Sequence, residues 1–285
     1  MVKRYLNKIG FGIALMFLIL WYWRFFMREH LQLSDNLNTV IGLAVLYGIG
    51  LFVFRMITKP APAPELQKQK LPAKEFALLF VMQCAAVPVV TILTIVCVVI
   101  TGKTPDTNTL SLTPFNLFQL LIFAPIMEEF VFRKLFAAKL LPYGERVFIL
   151  TSALCFSVIH GVSLGVPQIA YTFILGLVWA YVYAKTGSLI YSIVLHALSN
   201  LFGSVISQSL MLFSQTAASI YTVLLMLTGI IGFVLFILKR KSISLDGKQK
   251  LLDFNVLKTV FGSVGVLFHL GVTLAMIIYK AMLNK

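Results

Sequence analysis

Residues 117–136 read LFQLLIFAPIMEEFVFRKLF, an apolar run that holds two adjacent glutamates and an arginine. The run is long enough to span a membrane, because a spanning helix needs about 20 predominantly apolar residues. A charged side chain near the centre of such a helix costs about 2.5–3.5 kcal/mol on insertion scales. Placing Glu128, Glu129 and Arg133 in this run therefore has a large free-energy cost. Ionisable residues inside a membrane span indicate a functional site by default.

The composition of the whole chain is that of a membrane protein. Of its 285 residues, 59% are hydrophobic and only 12% are charged, which is about half of the charged fraction of a soluble domain. The formal net charge is +14, but the basic residues lie in short segments between apolar runs. That distribution is typical of membrane orientation signals and excludes a nucleic-acid-binding surface. We therefore expect the lipid bilayer as a partner and no nucleic acid.

Apolar stretches recur along the chain, and they are continuous rather than alternating, which predicts helices. The predicted fold class is all-α, a polytopic integral membrane helical bundle of about eight or nine transmembrane helices. The stretch around residues 58–75 is rich in Pro, Ala and Lys and predicts a stiff polar linker. We predict four regions: a two-span N-terminal region (1–57), a cytoplasmic linker (58–75), a catalytic membrane core (76–205) and C-terminal spans (206–285).

The basic residues predict the orientation of the protein in the membrane. With the N-terminus inside, nineteen of the 24 Lys and Arg residues fall on the inner side. By the positive-inside rule, we predict that the N-terminus lies in the cytoplasm. We expect this multi-pass protein in the cell membrane. The five basic residues predicted outside are Arg24, Arg28, Lys103, Lys280 and Lys285.

Three further polar residues lie inside other predicted spans. His160 ends the run FILTSALCFSVIH, and both His196 and Asn200 lie in the run SLIYSIVLHALSNLF. His196 and Asn200 are four residues apart, so one helix face presents both of them. Glu129 and Arg133 have the same spacing, with the acid first, which favours an intrahelical ion pair. Glu128 lies about 100° further round its helix and is free to face another partner.

These residues resemble the motifs of the CPBP family, the intramembrane endopeptidases of the CAAX-protease and bacteriocin-processing type. The resemblance rests on three motifs in this order on three separate spans, at residues 128–133, 156–160 and 196–200: Glu128-Glu129-x-x-x-Arg133, Phe156-x-x-x-His160 and His196-x-x-x-Asn200. It covers Phe115 to Ser204, near a third of the chain. The resemblance implies an intramembrane protease that cuts a membrane-associated peptide or protein.

The chemistry of peptide hydrolysis suggests a role for each motif residue. The reaction needs a water made nucleophilic and a developing oxyanion that is stabilised. We expect Glu128 and His160 to activate the water, and His196 and Asn200 to donate hydrogen bonds to the oxyanion. This division matches the glutamate-type mechanism that the resemblance implies. The supporting residues would be Glu129, Arg133 and Phe156.

Two alternatives remain open from the sequence. One glutamate and two histidines also form an acceptable zinc site with an open fourth position, so zinc held by Glu128, His160 and His196 is the alternative to a site without a cofactor. The resemblance also allows a non-catalytic scaffold or bacteriocin-immunity protein that acts by binding a partner. For the enzyme, we expect substrate to reach the site from the cytoplasmic side.

Overall fold

A computed structural model describes residues 1–31, 33–59, 66–102, 111–243, 245–247 and 253–283. Within these ranges, nine helices are long and apolar enough to cross a membrane. The prediction of an all-α membrane bundle with eight or nine spans is therefore confirmed. Part of the predicted linker, residues 60–65, lies outside the described residues, and so do the basic residues Lys103, Lys248, Lys250 and Lys285.

The structure contains these spans and one short helix. In chain order they are α1 (Val2–Met27), α2 (Asp35–Thr58), α3 (Ala73–Thr101), α4 (Pro114–Tyr143), α5 (Glu145–Leu164), α6 (Pro167–Thr186), α7 (Leu189–Phe213), α8 (Gln215–Ser242), the short α9 (Phe254–Phe261) and α10 (Val264–Leu283).

Successive spans run in opposite directions, so the bundle has two faces. The N-terminal face carries the starts of α1, α3, α5 and α7, and the distal face carries their ends, as contacts between helix ends indicate: Lys185 pairs with Glu145 on the first face, and Lys280 donates to the Ser163 carbonyl on the second. Most of the basic residues that the sequence placed inside lie near the N-terminal face. Arg133 is an exception, because it is fully buried within α4 and adds nothing to the surface charge.

The central helix is α5, and most of its residues are buried. It packs along α6 and α10, while α1 packs against α10 and α2, and α3 packs against α6 and α8. The spans that carry the three motifs are α4, α5 and α7, and α7 lies against both α4 and α6. This packing brings the motif residues from separate spans to one place.

The first and last spans cross at a point that only small residues allow. Gly10 of α1 and Gly265 of α10 approach so closely that a Cβ atom on either would clash with the backbone of the other helix. Next to this crossing, the Asn7 side-chain oxygen accepts hydrogen bonds from the Ser263 hydroxyl (2.7 Å) and the Gly265 N–H (3.1 Å). Small residues at helix interfaces permit such close packing in membranes.

A carboxylate from a distant part of the chain caps the start of α5. Asp246 accepts hydrogen bonds from the backbone N–H of Glu145 (2.6 Å) and from the Arg146 side chain (3.0 Å). Partial burial alone would raise the pKa of Asp246, but these hydrogen bonds outweigh it and hold the pKa below its ordinary value. Arg146 also pairs with Asp253 at 2.6 Å. The segment between α8 and α10 is thereby tied to the central helix.

Candidate active site

The two glutamates lie in an irregular part of α4. Residues Gln119–Phe123 and Phe130–Leu135 form π-helical turns that flank the α-helical segment Ala124–Glu129. Turns of this kind inside helices are frequent at functional sites. The Glu129 side chain is fully buried, whereas 22% of the Glu128 side chain is exposed. The two neighbours therefore have different surroundings.

Glu129 forms the buried ion pair that the spacing predicts. Its Oε2 lies 2.9 Å from Arg133 Nε, and neither side chain is exposed. The guanidinium donates a hydrogen bond from Nη1 to the Ser152 hydroxyl of α5 (2.8 Å). It also lies over the ring of Phe156, 5.0 Å from its centroid. Arg133 thus connects α4 to α5 beside the site.

His196 is held between the two glutamates. Its Nδ1 lies 3.1 Å from Glu129 Oε1, and its Nε2 lies 3.7 Å from Glu128 Oε2. Its ring stacks on Trp179 of α6, with ring centroids 4.1 Å apart and an interplanar angle of 17°. Contacts on three sides leave the imidazole little freedom to rotate.

His160 is oriented by its own helix. Its Nδ1 lies 2.8 Å from the carbonyl oxygen of Phe156, one turn earlier in α5. A carbonyl can only accept, so Nδ1 carries the hydrogen and Nε2 of the neutral ring is a free acceptor. The Phe156 ring packs against His160 with centroids 4.6 Å apart. Phe156 therefore positions His160 with both its backbone and its side chain.

Asn200 makes a hydrogen bond to the irregular part of α4. Its side-chain amide donates to the carbonyl oxygen of Leu120 at 2.8 Å. Pro125 lies five residues after Leu120 and has no N–H to donate in a π-helical turn. The Leu120 carbonyl is therefore left for another donor, and Asn200 of α7 supplies it. The second N–H of the Asn200 amide is not used by this bond.

One cavity of 660 Å³ joins the residues that the motifs predict. The side chains of Glu128, Phe156, His160, His196 and Asn200 all line it. The supporting pair Glu129 and Arg133 lies behind its wall. The structure thus brings together every predicted site residue, from three spans, around a single space.

The cavity extends to the distal face of the bundle. Its lining includes Ser111 before α4, Leu164 at the end of α5, Gln168 at the start of α6 and Met211 near the end of α7. Leu164 is 60% exposed and Met211 is 59% exposed. If the N-terminus lies in the cytoplasm, as the basic residues predict, this mouth faces away from the cytoplasm. That is the opposite of the access expected from the sequence.

Sequence reasoning missed two residues that hold His196 in place. Trp179 donates from Nε1 to Gln83 Oε1 of α3 at 2.7 Å, and the Gln83 amide donates to the Leu195 carbonyl at 3.3 Å. Gln83 is fully buried in the apolar run of α3, and its polarity there was a signal available in the sequence. Nothing local distinguished Trp179 from any other aromatic residue of a membrane helix.

The described residues contain no group of three or more His, Cys, Asp and Glu side chains that could hold a metal ion. Glu128, His160 and His196 line the same cavity, but they do not form a ligand cluster in this arrangement. Zinc in this set stays a prediction for experiment.

The fold and the cavity define a class of protein: a multi-pass helical membrane protein with carboxylates and imidazoles gathered inside its bundle. Residues 110–202 match the family model described as Rce1-like: Type II CAAX prenyl endopeptidase Rce1-like. The matched segment contains all three motifs, and the match is consistent with the CPBP family, which confirms the resemblance over this segment. Comparison with curated proteins found no match, and comparison with solved structures found none either.

Proposed function

We propose that this protein is an intramembrane endopeptidase that hydrolyses a peptide bond of a membrane-associated peptide or protein. The observation that supports the proposal is the single cavity lined by Glu128, His160, His196 and Asn200. The family match adds that the matched segment belongs to a class of peptidases. Nine helices among the described residues are long and apolar enough to cross a membrane, which supports a reaction within or beside the bilayer.

In the proposed mechanism, Glu128 is the general base. It is the carboxylate that lines the cavity and makes no intrahelical ion pair with Arg133. Glu128 takes a proton from water as the water oxygen bonds to the peptide carbonyl carbon. It then gives that proton to the amine nitrogen as the C–N bond breaks. The free Nε2 of His160 accepts a hydrogen bond from the same water and orients it.

The oxyanion is stabilised by α7 in this proposal. Asn200 keeps one N–H for the oxyanion while the other holds the Leu120 carbonyl. His196 already donates from Nδ1 to Glu129, so it donates to an oxyanion from Nε2 only when both ring nitrogens carry hydrogen. The neighbouring carboxylates of Glu128 and Glu129 supply the countercharge for that form. Preorganised donors of this kind are the largest single contribution in many enzymes.

We also propose the direction of access. The protein lies in the cell membrane with its N-terminus in the cytoplasm, as the basic residues predict. The cavity mouth lined by Leu164 and Met211 then faces the outer side of the membrane. The substrate would therefore be a peptide or protein segment exposed on that side.

The test compares cleavage by variants of the intact, membrane-embedded protein. Glu128→Gln and His160→Ala should each lower cleavage by about 10²- to 10⁴-fold, the usual contribution of a positioned acid or base. Asn200→Ala should lower kcat by about 10²- to 10³-fold through loss of one oxyanion donor. Glu75→Gln, a change at an exposed glutamate of α3, is the matched control and should cleave normally.

Two readouts serve this comparison. One is the set of new protein N-termini in membranes that express the wild type or a variant, measured by mass spectrometry. The other is a fluorogenic peptide with a prenylated CAAX tail, in vesicles. N-termini that are unchanged by Glu128→Gln would reject the protease and favour the non-catalytic scaffold.

The zinc alternative has its own experiment. The metal content of the purified protein is measured, and cleavage is followed before and after chelation with phenanthroline. A metal-free site predicts unchanged cleavage. Loss of cleavage that returns on adding zinc would assign Glu128, His160 and His196 as ligands instead.

A further inference from the structure

A second cavity, of 390 Å³, lies near the distal face on the other side of α4. Three cations line it: Arg24 of α1, Arg28 just after α1, and Lys280 of α10. These are all of the described basic residues that the sequence places on the outer side. Basic residues are scarce on that side of membrane proteins. Their convergence on one cavity therefore calls for a ligand.

The three cations are incompletely neutralised by their neighbours. Arg24 has no hydrogen bond or ion pair with any residue that the structure describes. Lys280 donates to a neutral acceptor, the Ser163 carbonyl, at 3.0 Å. Arg28 pairs with Asp35 at 2.6 Å, and 89% of the Asp35 side chain is exposed to solvent. Among the described residues that line the cavity, three are cations and none is an acid, which suits an anion.

The depth of this cationic cavity matches the level of lipid headgroups. Trp21 and Trp23 line it, and Phe25 and Phe26 pack beside it on Tyr279 of α10. Tryptophan and tyrosine are enriched where the membrane meets water. The phosphate group of a phospholipid can therefore reach an anion-binding cavity at this level.

An apolar groove adjoins the cationic cavity. The groove has a volume of 460 Å³ and shares Leu43 and Gln119 with the cavity. Its other lining residues include Ala44, Tyr47 and Gly48 of α2, opposite Phe123 of α4. Along α2 the cavity lining runs from Asn38 to Leu46 and the groove lining from Val40 to Gly48, so the groove lies beside the cavity and reaches about 3 Å further along the helix, at 1.5 Å per residue. A Cβ atom on Gly48 would meet no other atom within 4 Å, so the groove is open there.

We propose that the cationic cavity and the apolar groove together bind one phospholipid of the outer leaflet. Its phosphate would lie among Arg24, Arg28 and Lys280, and one acyl chain would lie in the groove between α2 and α4. A cavity with cations alone would suit any anion, and a groove alone would suit any alkyl chain. The shared residues Leu43 and Gln119 make the pair fit a molecule that has both parts.

The experiment titrates the purified full-length protein in detergent with phosphatidylglycerol and counts bound lipid by native mass spectrometry. Arg24→Gln and Lys280→Gln should each weaken binding about five-fold, since a cation near the membrane surface contributes about 1 kcal/mol. Gly48→Leu should also weaken binding, because the leucine side chain would occupy the groove, and a Cβ atom there meets no other atom within 4 Å. The variants should still fold, because Arg24 and Gly48 are exposed and Lys280, which is half-buried, loses one hydrogen bond to the Ser163 carbonyl.

Matched controls separate the site from general effects. Arg240→Gln removes an exposed cation on the N-terminal face, and Gly271→Leu adds the same side chain at another helical glycine with open surroundings. Both should bind phosphatidylglycerol like the wild type. Diacylglycerol and inorganic phosphate, added separately, should each bind far more weakly than the phospholipid.

The outcomes decide the proposal. Equal lipid binding by wild type and the Arg24 and Lys280 variants would overturn it. Loss with these variants but not with Gly48→Leu, or equal competition by inorganic phosphate, would show a free-anion site and would also overturn it. Weakening by both sorts of variant, with unchanged controls, supports the phospholipid.

Discussion

The buried ion pair between Glu129 and Arg133 gives the sharpest prediction about stability. Both side chains have zero exposure, and the Nε–Oε2 distance is 2.9 Å. Replacing Arg133 by Met keeps a long side chain against Phe156 but removes the charge. Glu129 is then left as a buried carboxylate whose remaining close contact is His196. Breaking a buried pair from one side costs about 3–5 kcal/mol.

The magnitude can be converted to a melting temperature. For a chain somewhat smaller than this one, a loss of 1 kcal/mol in unfolding free energy lowers the melting temperature by about 2–4 °C. Arg133→Met should therefore lower the melting temperature by about 10 °C. The double variant Glu129→Gln/Arg133→Met removes both charges, and it should regain most of this loss because no unpaired charge stays buried. The measurement is thermal unfolding in detergent, followed by tryptophan fluorescence.

A control and a clear contradiction complete the design. Arg240→Met makes the same replacement at an exposed position, and its midpoint should stay within a degree or two of the wild type. If Arg133→Met were as stable as the wild type, the pair would contribute nothing to the fold. If the double variant were no more stable than the single, the loss would come from packing, and the argument from an unpaired charge would be wrong.

Two further predictions concern the support of the site and the cap of α5. Gln83→Leu should lower kcat by about 10- to 100-fold with little change in KM, because Trp179 loses its acceptor and no longer fixes the ring of His196. An unchanged kcat, equal to that of the exposed control Gln67→Leu, would reject this role. Asp246→Asn should destabilise the protein at pH 7 by roughly 1–2 kcal/mol, because the amide has only one acceptor oxygen and loses the charged hydrogen bond to Arg146. The pKa of Asp246 in the folded protein lies below its value of about 3.9 in the unfolded chain. The Asp246 carboxylate therefore stabilises the fold fully above about pH 3.9, and this stabilisation is lost as the pH falls through the folded pKa. Melting curves between pH 3 and pH 8 should therefore show the gap between wild type and variant closing below about pH 4, and a gap that is constant over this range would contradict the cap.

Much of the fold was readable from the sequence because membrane insertion is decided segment by segment. The lengths of the apolar runs predicted the spans, and the pair Glu129–Arg133 followed from its spacing on one helix. The three motifs predicted which residues would gather, and all of them line one cavity except the buried pair Glu129 and Arg133 beside it. Each of these signals is local, since hydrophobicity and the four-residue spacing act within a single helix.

The features that were not predicted all depend on contacts between helices. The stacking of Trp179 on His196, the support by Gln83 and the donation from Asn200 to the Leu120 carbonyl each join different spans. The missing N–H of Pro125 indicates from the sequence that a carbonyl earlier in the helix lacks its donor, but it does not indicate which side chain supplies one.

The sequence by itself determined that the chain crosses a membrane many times and carries acids and imidazoles inside it, because the cost of placing charge in lipid is a property of each segment. Only the tertiary structure decided where the cavity of Glu128 opens and that Arg24, Arg28 and Lys280 meet beside an apolar groove. Helices in lipid associate through shape and close packing rather than through hydrophobicity, so their neighbours and faces are not written in the apolar pattern.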